Sequence, residues 1–275
     1  MGRILMNPPV FYMLVQIKFN PVVLKDYIDQ IQERLRRNKF ADFQTHSQKE
    51  AQISIQNEQG KDQNVSFNEK ETLIWTFMNF EKNTGFVLLD QTLTFHTTAY
   101  TCFEDALGLI KSTLSLMNEV VGIEYIDRIG MRFLNAICAV DGEPLSDHLV
   151  SNVTGWSNRS LTDGQLSTVH SMVEHFYRSE DGKRNCLSRV VSAKIEDSVP
   201  PMPQELIPAI QVLDLADRFK SLTGDIAVLD TDCSYTERLK FDENTIFSII
   251  ESLHSNASEV FESSIRPERI KQWMA

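Results

Sequence analysis

Two arginines with a glycine between them, Arg128-Ile-Gly-Met-Arg132, are the residues whose types and spacing most directly suggest chemistry in this chain. In an extended strand alternate side chains share a face. Arg128, Gly130 and Arg132 then lie on one side, and Ile129, Met131 and Phe133 on the other. At the rise of a strand the two arginine Cα atoms stand about 13 Å apart, and the glycine leaves space for a backbone, a ring or a ligand to approach. Guanidinium groups grip carboxylate and phosphate oxygens bidentately. The functional reading is a shallow anion seat built from Arg128, Gly130, Arg132 and the nearby Asn135. The structural reading is that both arginines pair with carboxylates on neighbouring strands, as sheet charges commonly do.

Other groups offer less. Asp230 and Asp232 share a strand face, a pattern that could serve a hard cation, yet it also suits the acidic end of a strand in an acidic protein. His170 and His175 are five apart, which sets them on opposite faces of a strand and poorly together on a helix, so they are weak metal ligands. His96 falls in a strand and reads as a hydrogen-bonded or exposed histidine. No G-x-x-x-x-G-K-[ST] loop, G-x-G-x-x-G turn, H-E-x-x-H helix or G-x-S-x-G elbow occurs. No nucleophile, base and orienting group assemble, so neither a catalytic set, a cofactor nor a metal is expected. Trp75, Trp156 and Trp273 are scattered and make no stacking row for single strands.

The elements that must position these residues can be traced in order. Phe11–Phe19 reads as a strand, followed by a helix with Asn20 as its cap and Pro21 at its first position. Phe43–Gln56 is a strand, and Asn57–Asp62 a turn. Val65–Phe80 and Gly85–Thr98 form a hairpin. Thr101 and Glu104 have capping-box spacing ahead of an apolar helical stripe from Phe103 to Val121, which Gly122 should stop. The stripe is too short for a coiled coil and suits a helix lying on a sheet. Ile123–Asn135 is the central strand. A short helix at Pro144–Val150 and a polar loop over Ser151–Gly164 follow. Leu166–Arg178 and Asn185–Ile195 make a second hairpin. Four prolines between Pro200 and Pro208 mark an irregular connection. Gln211–Phe219 and Asp225–Tyr235 read as strands, and Asp242 caps a long terminal helix ending near Pro267.

The halves rhyme. Each runs strand, helix, a series of antiparallel strands, then a long amphipathic helix, and Gly85-Phe-Val-Leu-Leu-Asp90 echoes Asp225-Ile-Ala-Val-Leu-Asp230. The fold class expected is α+β: two similar units, residues 1–122 and 123–275, each a mainly antiparallel curved sheet with long amphipathic helices on one face, packed as one body through an internal duplication.

Composition bounds the function. The 275 residues carry 38 acidic and 27 basic side chains, for a net charge of −11. That balance opposes nucleic-acid coating by bulk electrostatics, and the basic cluster Glu33–Lys39 suits the solvated end of a helix. Four cysteines lie far apart without a C-x-x-C pair, as reduced thiols of a cytoplasmic protein would. The early apolar stretch is broken by Asn7-Pro8-Pro9, so no signal peptide is expected, and no run reaches membrane-spanning length.

The opening Asn7-Pro-Pro-Val10, the strand ending Lys18-Phe-Asn-Pro21, the central Arg128-Ile-Gly-Met-Arg-Phe-Leu-Asn135 and the terminal helix with His254 and Phe261 resemble a sporadically distributed prokaryotic family of uncharacterised proteins. The resemblance spans nearly the whole chain. It implies no catalytic residue, because the family has no assigned activity. A patchy distribution implies accessory cargo, including defence loci. The expected function is therefore a non-enzymatic binding or regulatory protein, antitoxin-like, with a protein partner of basic character, favoured by the acidic surface; self-association is compatible with it. The alternative is a sensor or enzyme that holds a small anionic ligand, a nucleotide or carboxylate, with Arg128 and Arg132.

Overall fold

A computed structural model describes residues 7–56, 64–139, 143–154 and 168–274, without the side chains of 49–56, 64–70 and 274. The turn expected at 57–62, most of the loop expected at 151–164, and Trp156 lie outside the described residues.

Runs rich in β-branched and aromatic residues form strands β1 (Val10–Phe19), β2 (Asp42–Gln56), β3 (Asn64–Met78), β4 (Thr84–Leu89), β5 (Thr92–Thr97), β6 (Tyr125–Cys138), β7 (His170–Arg178), β8 (Arg184–Ser198), β9 (Leu222–Tyr235) and β10 (Leu239–Lys240). They make one sheet in the order β2-β3-β4-β5-β1-β6-β9-β8-β7, with β10 also on β6. The ladders are antiparallel. The α+β class and antiparallel pairing follow the expectation, but one sheet runs through both halves instead of one sheet in each. The seam is the β1–β6 ladder, in which Leu14 faces Arg132, Gln16 faces Gly130 and Lys18 faces Arg128.

Helices α1 (Ile28–Arg37), α2 (Phe103–Val121) and α4 (Glu243–Ser264) cover one face of this sheet. The main core packs Met13, Val15 and Ile17 of β1 with Ile129, Met131 and Phe133 of β6. Helix residues Ile110, Leu114, Ile246 and Ile250, each at most 1% exposed, close it from above. Gly122 ends α2 at φ +68°, a conformation that costs glycine little. Asp242 caps α4 by accepting from Thr245 N at 2.8 Å. The terminal helix α5 (Pro267–Met274) restarts the chain at the proline expected to stop it.

The opposite face is covered differently. Gln211–Phe219, expected as a strand, instead continues an irregular cover that includes the short helix α3 (Ile207–Ile210) and a helical turn at Asp217–Phe219. Its apolar residues are satisfied by burial instead: Leu206, Ile210, Leu213 and Phe219 pack on Tyr12 and Leu134.

Local signals were overridden elsewhere. Asn20 does not cap a helix, because α1 begins at Ile28 after a helical turn at Leu24–Asp26. Its Oδ1 accepts from Glu124 N at 2.8 Å and Tyr125 N at 3.4 Å, tying the end of β1 to the entry of β6. Thr101 makes no capping box; its hydroxyl donates to Asp105 Oδ2, and Cys102 holds the cap position without a side-chain cap bond. The span Gly85–Thr98 folds as two strands about the turn Asp90-Gln91, and the helix expected at Pro144–Val150 shrinks to one turn at Leu145–Asp147. Cys186 and Cys233 face each other across β8 and β9 with Cα atoms 4.0 Å apart and are joined as a disulfide. Only Cys102 and Cys138 are free. A separation of 47 residues hid that register.

Removing the Asn20 carboxamide leaves the entry to β6 short of an acceptor. Asn20→Ala is expected to cost about 1–2 kcal/mol and, in hydrogen exchange, to deprotect the Glu124 and Tyr125 amides while leaving those of α1 protected.

Candidate functional site

The central arginines meet different fates on one strand face. Arg132, 7% exposed, is held by Asp230, the neighbouring acid on β9, 4% exposed. Nε donates to Oδ1 and Nη2 to Oδ2, each at 2.7 Å, a bidentate fork. Nη2 also donates to Glu205 Oε1 at 3.0 Å, which fastens the irregular cover to the sheet. Arg189 continues the chain of charge, 4.0 Å from Asp230 and 2.6 Å from Glu174. Burial opposes the Arg132 charge most strongly, but Asp230 with Glu205 and Asp232 together outweigh it and hold the guanidinium pKa above its ordinary value. Burial pushes the Asp232 carboxyl up, with the charges of Arg132 and Arg128 pulling against it. Both Asp230 oxygens are taken, so Asp230 and Asp232 do not present a free pair to a cation.

Arg128 donates from Nη1 to the neutral Gln16 Oε1 at 3.2 Å. Its guanidinium folds back over Gly130, where an added Cβ would stand 2.6 Å from Nη1 and 3.1 Å from Cζ. The space left by that glycine is filled by the neighbouring arginine. Asn135 is not in this group at all: it lies on the helix-covered face with Phe133, 3% exposed. The four residues read as one anion seat are thus split between two faces of the sheet.

Asn135 belongs to a cavity of about 110 Å³ between the sheet and the N-terminal end of α2, closed on its far side by α4. Nδ2 donates weakly to Leu229 O at 3.4 Å, which turns Oδ1 away from that carbonyl. Beside it on β9, Thr231 is 1% exposed and its hydroxyl has no partner. These two polar groups are contributed by the sheet. The walls are aromatic: Tyr100 meets Phe133 edge-on at 5.5 Å, and His254 stacks on Phe103 at 3.8 Å with an interplanar angle of 2°. Glu104 and Glu262 stand at the rim, both exposed. The cavity opens into a groove of about 760 Å³ between α2 and α4, which adds Glu251 and Glu259. Lys111 lies 3.6 Å from Glu251; among the described residues, Glu104, Glu259 and Glu262 have no ion-pair partner.

A cysteine at a helix N-terminus beside a histidine invites comparison with a thiol nucleophile. The Asp105 amide does hold the Cys102 thiol down, but burial and the acids Asp105 and Glu104 outweigh it, so the thiol sits above its usual range. Burial lowers the His254 pKa, keeping the imidazole neutral, and its Nε2 lies 3.4 Å from Ser258 Oγ, a bond between histidine and hydroxyl rather than thiol. The arrangement is suited to holding a group. Of the cavity residues, sequence reasoning singled out Asn135 as a ligand-binding candidate, and Pro8, Pro9, Val10, Phe133, His254 and Phe261 only as parts of the resemblance. Thr231 and the Glu104–Glu262 rim carry no local signal, because strands and helices distant in sequence bring them together.

A second buried cluster lies under the irregular cover. His96 is 0% exposed, with Tyr12 Oη 3.5 Å from Nδ1 and no partner at Nε2. Of the two expected states it is the hydrogen-bonded one, through Tyr12 alone, and it is not exposed, since its strand position faces the covered side. Burial lowers its pKa to about 4. No group of three or more potential metal-binding side chains comes together among the described residues, and no helix there is long and apolar enough to cross a membrane.

No protein-family model and no curated protein matches the chain.

Arg132→Ala strands the buried Asp230 charge and is expected to cost about 3–5 kcal/mol in urea unfolding. Glu205→Ala, removing a partner whose side chain is 60% exposed, should cost less than about 1 kcal/mol. An anion seat would instead show its loss in ligand-induced stabilisation. For His96, the folded pKa of about 4 lies below the free imidazole value of 6.5. Its contribution is therefore complete above about pH 6.5 and is lost as pH falls towards 4, a change of about 3 kcal/mol. His96→Leu should flatten the wild-type stability profile across that window, measured by urea unfolding at each pH.

Proposed function

We propose that this protein is a binding module that holds a basic segment of a partner protein in the groove between α2 and α4. The supporting observation is the acidic groove itself: Glu104, Glu259 and Glu262 stand exposed along it, without cationic partners among the described residues, and lead into an aromatic cavity. Carboxylates left unpaired beside an apolar pocket steer and orient a cationic partner more than they stabilise the fold. The same reading treats the halves as sibling units. In each, the first strand pairs with the last strand of its own meander, β1 with β5 and β6 with β9, and a long helix follows. The groove then lies between two equivalent helices. The antitoxin-like role expected above has no residue-level support in this geometry, and the proposal is restricted to the partner's chemistry.

The anionic-ligand alternative keeps Arg128, whose neighbour across the ladder is the exposed Lys18, but loses Arg132 to Asp230.

Binding of labelled hexalysine, followed by fluorescence anisotropy at low salt, tests the groove. Replacing Glu104, Glu259 and Glu262 by Gln together is expected to weaken it about tenfold or more, and added salt should weaken the wild type likewise. Equal binding of hexalysine and hexaglutamate, or a triple variant that binds as the wild type does, overturns the reading.

A further inference from the structure

We infer that the cavity at the end of the groove receives the guanidinium of one arginine side chain of the partner. This rests on the groove reading above and adds which residue anchors the segment. The floor carries two oxygens able to accept: Thr231 Oγ1, buried without a partner, and Asn135 Oδ1, whose amide nitrogen is the atom bonded to Leu229. A buried hydroxyl without a hydrogen bond is costly, so an occupant that supplies one is favoured. The walls offer the rings of Tyr100, Phe103 and Phe133, which attract a cation lying over a ring face. The rim adds the carboxylates of Glu104 and Glu262.

The Thr231 hydroxyl can take either role, but Asn135 Oδ1 and the rim carboxylates only accept. The occupant that fits them all is therefore rich in donors, positively charged, planar at its tip and apolar along its stem. Guanidinium presents five donors in a flat, weakly hydrated fork, whereas an ammonium is a compact and strongly hydrated point charge. A leucine-like side chain would fill the walls but leave both floor oxygens unpaired. An anion would meet Glu104 and Glu262. The amino end of α2 also points at this space and carries partial positive charge, which opposes a cation; Glu104 and Asp105 in its first turn offset that charge. At about 110 Å³ the cavity admits a group of several heavy atoms, since one water takes about 10–15 Å³ on the same measure.

The test uses the peptide acetyl-Gly-Lys-Gly-Arg-Gly-Lys-Gly-amide and versions with citrulline, lysine or norleucine in place of arginine, titrated by calorimetry into the full chain. The arginine peptide is expected to bind about tenfold or more tighter than the citrulline peptide, which keeps the shape and loses the charge. Lysine should fall between them. Thr231→Val, which keeps the side-chain volume, and Ala257→Leu, which fills the cavity, should each remove the arginine preference while leaving the salt-dependent attraction of the flanking lysines. Equal binding of arginine and citrulline peptides with salt dependence intact overturns the anchor and leaves the groove standing. Tightest binding by norleucine marks an apolar pocket and also overturns it. If none of the peptides binds, the anchor and the groove reading fall together.

Discussion

The β1–β6 ladder is the constraint on which the remaining architecture depends. It joins two meanders, β5-β4-β3-β2 on one side and β9-β8-β7 on the other, into a single sheet. Because the ladder is antiparallel and in register from Lys18–Arg128 to Met13–Phe133, its side chains alternate between two differently covered faces. A slip of one residue would send Ile129, Met131 and Phe133 away from the helices and force Arg132 into the apolar core. The Asn20 carboxamide, bonded to the first amides of β6, fixes one end of that register.

The two faces of β6 divide the work. On the face away from the helices, charge is used inward: Arg132 and Asp230 satisfy each other, and Glu205 draws the irregular cover down onto the sheet. A buried pair of this kind adds little net stability over an apolar replacement, but it makes any loosened arrangement that separates the partners expensive. On the helix face, charge is turned outward. Among the described residues the groove acids Glu104, Glu259 and Glu262 have no ion-pair partner; beneath them the Thr231 hydroxyl is buried without a partner and the Asn135 amide makes only a long bond to Leu229. An unsatisfied buried hydroxyl and unpaired surface carboxylates are both unfavourable in the isolated chain, and they occur together at one place. That coincidence is why the groove, and not the paired arginines, is the better candidate for a binding function.

How legible this was depended on the range over which each interaction acts. The strand at 125–138, with its arginines on one face and its apolar residues on the other, could be read from alternation alone. The helix from Phe103 to Val121 and its glycine stop could be read from a 3.6-residue stripe and one residue that tolerates positive φ. A local capping signal is worth about 1 kcal/mol and is easily displaced: Asn20 is taken by the distant amides of Glu124 and Tyr125, and Thr101 by the carboxylate of Asp105 one turn on. Gln211–Phe219 alternates like a strand, yet its apolar side chains found burial as a cover without a ladder. The Cys186–Cys233 pairing needed a register that no local spacing encodes.

From the amino-acid order alone came the α+β class, most of the strands, both long helices, the acidic balance and the candidate residues Arg128, Gly130, Arg132 and Asn135. All of these follow from periodicity, composition and residue type, which act over a few neighbouring positions. The folded chain alone decided that the halves share one sheet, that Arg132 is consumed by Asp230, that Arg128 occupies the space above Gly130, and that Asn135 serves a cavity on the other face. Those outcomes turn on which strand becomes the neighbour and in what register. Even Arg128, two positions from Gly130, is turned by its bond to Gln16 on the neighbouring strand, and Arg132 meets Asp230 from about 100 positions away; a local pattern carries no record of either partner.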